Sequence, residues 1–281
     1  MFSLLSATTS RGSDKDVHHP VFYFIGRRGT GKSMLVKDLM YHHQDVPKGV
    51  IISGTEMGNH FYAPLAPKAF IFHEYETVLV ENMFRRQLHV LQPENRHEAP
   101  DPRIFLLLDD CMYDDSWSRD RIMRCVFMNG RHWKVMCVIT MQYPLGVPPV
   151  LRTNIDFAFL LFAPTTGERK RLYENYASVF RTFEGFNSVF DQTTADFECM
   201  VVCFSSHSNK LSDLIKFYKA QPRPNYRLMN AAAWAESAAS AGGAGGVDYY
   251  DNSNASGKKR GRDENIEVVK NGGGVRRARF A

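Results

Sequence analysis

The stretch VFYFIGRRGTGKSMLVKDLMYHH, residues 21 to 43, carries the most information about the architecture. Its first five residues are β-branched or aromatic, as in a buried strand. The next eight, GRRGTGKS, satisfy G-x-x-x-x-G-K-[ST] in full, and a helix-forming run follows. Strand, glycine-rich loop and helix in this order form a phosphate-binding loop. Gly26, Gly29 and Gly31 let the backbone turn tightly enough for its N–H groups to converge on phosphate oxygens at the positive end of a helix. Arg27, Arg28, Thr30 and Met34 lie in or beside that cradle. Lys32 is expected to reach the terminal phosphates of a nucleoside triphosphate, and the Ser33 hydroxyl to ligate Mg²⁺. ATP and Mg²⁺ are therefore the expected cofactors.

A magnesium ion held by a serine also needs a carboxylate at the end of a second buried strand. IFLLLDD at 104 to 110 supplies it. Asp109 is the candidate for the metal shell, and Asp110 for polarising the attacking water. Aspartate is one methylene shorter than the glutamate that often fills the second position. KVMCVITM at 134 to 141 is a further strand and ends in Gln142, where a side chain can sense the γ-phosphate, because open α/β sheets bind ligands at the carboxyl ends of their strands. Arg131 and Arg152 flank this strand and its successor, and both are candidate arginine fingers.

The body alternates short apolar runs with longer mixed segments, the pattern of an α/β protein with a mainly parallel sheet. Strands are predicted at Val21 to Gly26, Val50 to Ser53, Ala69 to His73, Ile104 to Asp109, Lys134 to Met141, Phe157 to Phe162 and Cys199 to Phe204. Helices are predicted at Lys32 to His42, Thr77 to Leu91, Arg119 to Met128, Gly167 to Phe180 and Thr193 to Phe197. Residues 1 to 17 read as a flexible leader and 18 to 229 as the P-loop domain. From Asn230 to residue 281 the composition becomes Ala, Ser, Gly and Asn with a basic end, which reads as a disordered tail.

The composition excludes several classes. The five cysteines form no C-x-x-C pair, so neither a disulfide framework nor a zinc site is expected. The apolar run from Val135 to Leu151 is broken by Pro144, Pro148 and Pro149 and falls short of the roughly 18 residues a membrane span needs. The start lacks the features of a signal peptide, so work inside a cell is expected. Net charge is +5, but residues 258 to 281 hold eight Lys and Arg against three Asp and Glu, leaving 27 of each sign in the rest. The body is neutral.

A GTPase is disfavoured, because the nearest match to N-K-x-D is Asn209-Lys210-Leu211-Ser212, with serine in place of the required aspartate. About 75 residues separate the loop from Asp109, enough for additional strands between them. GRRGTGKS, IFLLLDD, NGRHW at 129 to 133, ITMQYP at 139 to 144 and LRTNIDFAF at 151 to 159 together resemble the genome-packaging ATPases of large nucleocytoplasmic DNA viruses, relatives of the FtsK/HerA translocases. The resemblance covers roughly residues 20 to 220. It implies a RecA-like, additional-strand P-loop fold and a homo-oligomeric ring, expected to be a hexamer. That ring would hydrolyse ATP to push double-stranded DNA into a capsid at sites of virion assembly in the host cytoplasm or nucleus. Lys32, Ser33, Asp109, Asp110 and Gln142 match the family's functional positions, and Arg152 is a candidate match to its finger.

Such a motor grips DNA through phosphate contacts. Arg119, Arg121 and Arg124, and the tail's KKRGR at 258 to 262 and RRAR at 276 to 279, are candidates, and capsid or membrane-associated virion proteins are candidate partners. Two alternatives remain at the level of sequence: a nucleoside or nucleotide kinase, and a nucleotide-dependent assembly scaffold without turnover.

Overall fold

The computed structural model describes residues 19 to 111 and 116 to 242. Eight strands form one sheet in the order β3-β2-β4-β5-β1-β6-β7-β8. They are β1 (Val21–Ile25), β2 (Lys48–Ser53), β3 (Ile71–Phe72), β4 (Ile104–Asp109), β5 (Val135–Met141), β6 (Phe157–Leu160), β7 (Glu198–Cys203) and β8 (Ile215–Lys219). From β3 to β6 every pairing is parallel, whereas β7 is antiparallel to both β6 and β8. β5 lies between β1 and β4, so one strand separates the phosphate loop from the strand carrying Asp109.

Alternation along each strand divides the core into two layers. Val21, Tyr23 and Ile25 of β1 join Ile104, Leu106 and Leu108 of β4 in one apolar cluster. Phe22 and Phe24 join Phe105 and Leu107 in the other. Helices cover both faces, which explains why these strands read as continuous apolar runs.

Helix α1 (Lys32–Tyr41) packs Leu35, Val36, Leu39 and Met40 on the second face and is followed by the single turn α2 (Glu56–Asn59). The first face receives α3 (Thr77–Val90), α5 (Arg121–Asn129), α7 (Thr166–Tyr176) and α8 (Phe183–Thr193). The short turns α4 (Ser116–Arg119), α6 (Pro149–Arg152) and α9 (Leu211–Leu214) join them. Asp120 caps α5, its carboxylate accepting from the Ile122 N–H at 2.8 Å, so that helix begins two residues later than predicted.

All seven predicted strands are present, with ends shifted by three residues or fewer, and β8 is an eighth that the sequence reading passed over. The helix predicted at Thr193 to Phe197 is corrected. It lies one element earlier, in α8, capped by Thr182 and presenting Phe186 and Phe190 to the core. Asp196 and Phe197 instead adopt left-handed backbone.

The tail expectation is also corrected over its first part, where α10 (Ala231–Gly242) forms. Alanine is the best helix former, and the Asn230 carboxamide oxygen caps the helix by accepting from the Ala233 N–H at 3.0 Å. The helix is anchored because Ala233 enters the second core layer, Trp234 donates to the Leu228 carbonyl at 2.9 Å and Glu236 pairs with Lys48 at 2.8 Å. The leader and the basic segments at 258 to 262 and 276 to 279 lie outside the described residues. All five cysteines are free thiols. Among the described residues, no helix is long and apolar enough to cross a membrane.

Candidate functional site

β1 delivers the chain into the phosphate loop at the carboxyl edge of the sheet. The Gly26 N–H donates to the Met141 carbonyl at 3.1 Å, tying the loop to β5. A Cβ at Gly26 would stand 2.6 Å from Thr30 Oγ1 and 2.7 Å from Leu161 Cβ, so only glycine fits there. Gly31 takes φ 94° at the N-cap of α1, a conformation that would strain any other residue. The Thr30 hydroxyl donates to the Arg27 carbonyl at 2.7 Å and closes the turn. Lys32 is only 8% exposed, and its ammonium donates to the carbonyls of Gly26 at 2.7 Å and Arg27 at 3.0 Å. Burial lowers its pKa, and the nearby charges of Asp110 and Asp109 act against that shift.

The acidic wall stands opposite. Strand register sets Ser53, Asp109 and Thr140 side by side at the ends of β2, β4 and β5. Asp109 is 3% exposed, and each of its oxygens accepts one hydroxyl: Tyr62 at 2.8 Å and Thr140 at 2.6 Å. Burial raises the Asp109 pKa, while these two bonds and the Lys32 charge pull it down. Tyr62 is itself held by Glu56, whose carboxylate accepts from the backbone N–H groups of Tyr62 and Ala63.

Past Asp109 the chain turns sharply, with Asp110 at φ 49° and its N–H donating to Thr140 Oγ1 at 3.0 Å. That turn aims the Asp110 carboxylate at Gln142, whose amide donates to both carboxylate oxygens at 2.9 and 2.8 Å.

A cavity of about 970 Å³ lies over the loop and this wall. Lys32, Ser33, Asp109 and Asp110 line it, together with Arg28 and Met34, whereas Gln142 is not among the lining residues and meets the site through its bond to Asp110. Its far side is formed by Phe197, Lys219, Ala220 and Pro222, which the sequence reading missed. They arrive there because β7 runs antiparallel. Its beginning and the end of β8 consequently share the edge at which the parallel strands end.

This far wall is tied to α1 by Asp38, which is fully buried. Its carboxylate accepts from the Tyr218 hydroxyl, the Gln221 N–H at 2.8 Å and the Arg223 guanidinium. Tyr62 and Asp38 lie in no motif, and Thr140 lies within ITMQYP without a role of its own assigned to it. Only the aspartate's place amid the apolar residues of α1 hinted that it needed buried partners.

The predicted arginines divide. Arg28 stands exposed at the cavity, while Arg27 pairs with Glu168 at the start of α7 at 2.8 Å. Arg131 and Arg152 are not brought to this chain's own cavity. Arg131 pairs with the buried Asp156, which also accepts from the Val21 N–H at 2.8 Å. That contact lies at the amino edge of the sheet, opposite the loop. Arg152 donates to the Val147 carbonyl at 2.7 Å and to the Asn175 side chain, and it stacks 5.7 Å from the Tyr176 ring centre.

Protein L437 of Acanthamoeba polyphaga mimivirus is 35% identical over 215 residues, a span covering 75% of this chain and 76% of that protein. The chain belongs to that viral protein family. Protein 088R of Invertebrate iridescent virus 3 is a second member, 36% identical over 199 residues and covering 70% of this chain and 74% of its own. The resemblance drawn from the motifs, to a family of large nucleocytoplasmic DNA viruses, is thereby met. No family model matches the chain.

Among solved structures, the genome packaging NTPase B204 from Sulfolobus turreted icosahedral virus 2 aligns with TM-score 0.53 at 13% identity, over 74% of this chain and 100% of that one. The B204 DNA-packaging ATPase of Sulfolobus Turreted Icosahedral Virus aligns with TM-score 0.51 at 14% identity, over 73% of this chain and all of that one. At such low identity the likeness establishes the fold, a P-loop NTPase sheet with the additional strand, and the chemistry must be argued from the site.

Proposed function

We propose that this protein is a Mg²⁺-dependent ATPase that, as a ring of identical subunits, drives double-stranded DNA into a viral capsid. One observation carries the reading: the phosphate loop and the Asp109–Asp110 wall face one cavity from two separate strand ends, and Gln142, at the end of a third strand, holds Asp110. The kinship with large DNA virus proteins and the fold shared with the B204 packaging NTPase support it.

The triphosphate would lie along the N-terminus of α1, where backbone N–H groups and the helix dipole favour anionic oxygen. Ser33 and Asp109 offer the hard oxygen donors that suit Mg²⁺, with Asp109 acting through water. When bound, that ion neutralises charge on the β- and γ-phosphates. Lys32 holds the terminal phosphates.

Asp110 orients a water whose oxygen attacks the γ-phosphorus, and its carboxylate takes the released proton. The bond from the γ-phosphorus to the bridging oxygen breaks, and ADP leaves with the electron pair. Gln142 links nucleotide state to this step. Its amide grips Asp110, and a γ-phosphate oxygen competes for the same N–H groups, so arrival of ATP frees Asp110 to receive the water.

Both Arg131 and Arg152 are engaged within their own protomer, and neither is assigned as a finger. Arg119, Arg121 and Arg124 are exposed along α4 and α5, and they are the candidate grips on DNA phosphate. Capsid or membrane-associated virion proteins would be the partners, at sites of assembly in the host cell.

The test is steady-state ATP hydrolysis by the full chain with and without linear duplex DNA. Hydrolysis stimulated by DNA and lost in Lys32→Ala is expected. Normal turnover in that variant would remove the loop from the mechanism. Turnover that ignores DNA and yields a phosphorylated small acceptor would replace the motor with a kinase.

A further inference from the structure

We infer that Phe197 is the platform on which the purine base of the bound nucleoside triphosphate stacks, an assignment that rests on the triphosphate site proposed above. The turn before β7 is built unusually. Asp196 and Phe197 both adopt left-handed backbone, at φ 52° and 62°. Such a conformation is uncommon outside glycine, asparagine and aspartate, and a bulky residue that holds it is a pointer to function.

The turn is fixed from two sides. The Glu198 N–H donates to the Ala195 carbonyl at 3.1 Å, and Asp196 forms an ion pair with Lys219 across the β7–β8 ladder. What this strained turn delivers is an aromatic ring 61% exposed at the cavity. A core role would have buried that ring, and a surface turn would have been served by a small polar residue.

Its place relative to the phosphate loop identifies the ligand group. β1 and β7 both flank β6, and the antiparallel direction of β7 puts its first residues level with the end of β1, one strand away. A Cβ added at Gly31 would lie 3.4 Å from the Phe197 ring, so the ring stands directly against the N-cap of α1. Phosphates gathered at that N-cap leave the nucleoside to extend along the cavity wall. There Phe197, Met34, Ala220 and Pro222 present an apolar surface. A ring that stacks on a base reads its π-face and not its hydrogen-bonding edge. The platform therefore favours the larger purines over pyrimidines and discriminates little between adenine and guanine.

The experiment uses the full chain with Mg²⁺ and titrates a non-hydrolysable ATP analogue and inorganic tripolyphosphate into wild type, Phe197→Ala, Phe197→Gly and Phe197→Trp. Removing the ring is expected to weaken the analogue by roughly 5- to 100-fold and to leave tripolyphosphate affinity unchanged. Tryptophan is expected to restore or tighten analogue binding. Phe197→Gly relieves the left-handed strain, so its Tm should hold or rise while analogue binding falls, a combination that a packing role does not produce. Unchanged analogue affinity in the alanine and glycine variants would overturn the platform and leave the phosphate site standing. Parallel loss of both ligands, or a lowered Tm in Phe197→Gly, would show that Phe197 merely shapes the loop. Wild-type protein that binds neither ligand would refute the triphosphate site itself, and the platform with it.

Discussion

Replacing Tyr62 with phenylalanine removes one hydroxyl and probes the carboxylate proposed to organise the metal. Asp109 has one donor on each oxygen, and Tyr62→Phe deletes the one at 2.8 Å while keeping the ring and its packing. A hydrogen bond to a charged group contributes about 1.5–3 kcal/mol, and one between neutral groups about 0.5–1.5. The acceptor is buried, so water does not compensate. Burial already holds the Asp109 pKa above that of a free carboxylate, and the Tyr62 bond opposes the shift, so the variant should raise it further.

The sign follows. A raised folded-state pKa means that charging Asp109 opposes folding as pH rises through that value, and the penalty grows when a donor is lost. Urea unfolding should therefore show a loss of about 2 kcal/mol at pH 7, shrinking toward about 1 kcal/mol at the acid end of the stable range, where Asp109 is protonated. The slope against urea should not change. The Mg²⁺ concentration for half-maximal turnover should rise in parallel. A loss below about 0.5 kcal/mol at pH 7, or one equal at both pH values, would refute the charged hydrogen bond as its source.

Three further outcomes follow from other parts of the fold. Burial pushes the His43 imidazole down to about 4 from its ordinary value of about 6.5. Stability attached to this group is full above pH 6.5 and lost as pH falls toward 4, to about 3 kcal/mol in all; His43→Leu should flatten that part of the stability–pH curve, and an unchanged curve would assign the slope elsewhere. Arg131→Ala should lower stability by about 1 kcal/mol, since the guanidinium is half exposed while its partner Asp156 is buried, and should leave turnover near wild type. Lost turnover with unchanged stability would instead make Arg131 a finger. Asp38→Asn leaves the Arg223 charge without its carboxylate and should cost about 3 kcal/mol by thermal or urea unfolding, with a raised KM for ATP because Lys219, Ala220 and Pro222 wall the cavity; a stable variant with ordinary KM would separate that network from the site.

Local chemistry made the centre of this protein legible in its sequence. The phosphate loop is one contiguous segment whose strand, glycines, lysine and helix are each encoded by neighbours, and IFLLLDD announces both a doubly covered strand and the acidic pair at its end. Gln142 was readable for the same reason, as the first residue past an apolar strand. Where tertiary packing outweighed composition, reading failed. The alanine-rich segment after Asn230 lacks the bulk to fold alone, yet it forms α10 because Ala233 and Trp234 find places on a surface that already exists. The helix assigned to Thr193–Phe197 was misplaced, although Thr182 followed by Phe183, Phe186 and Phe190 at helical spacing carried the signal for α8.

The P-loop class of the protein is legible in local sequence, because backbone geometry and apolar runs are local properties. Strand order and direction decided the rest. Only the register of β2, β4 and β5 places Thr140 beside Asp109, and only the path of the chain after α2 brings Tyr62 across 47 residues to the same carboxylate. Only the antiparallel direction of β7 sets Phe197 and Lys219 at the edge where the parallel strands end. Contacts between distant segments are fixed by which edges pair and which way they run, and single residues do not carry that information.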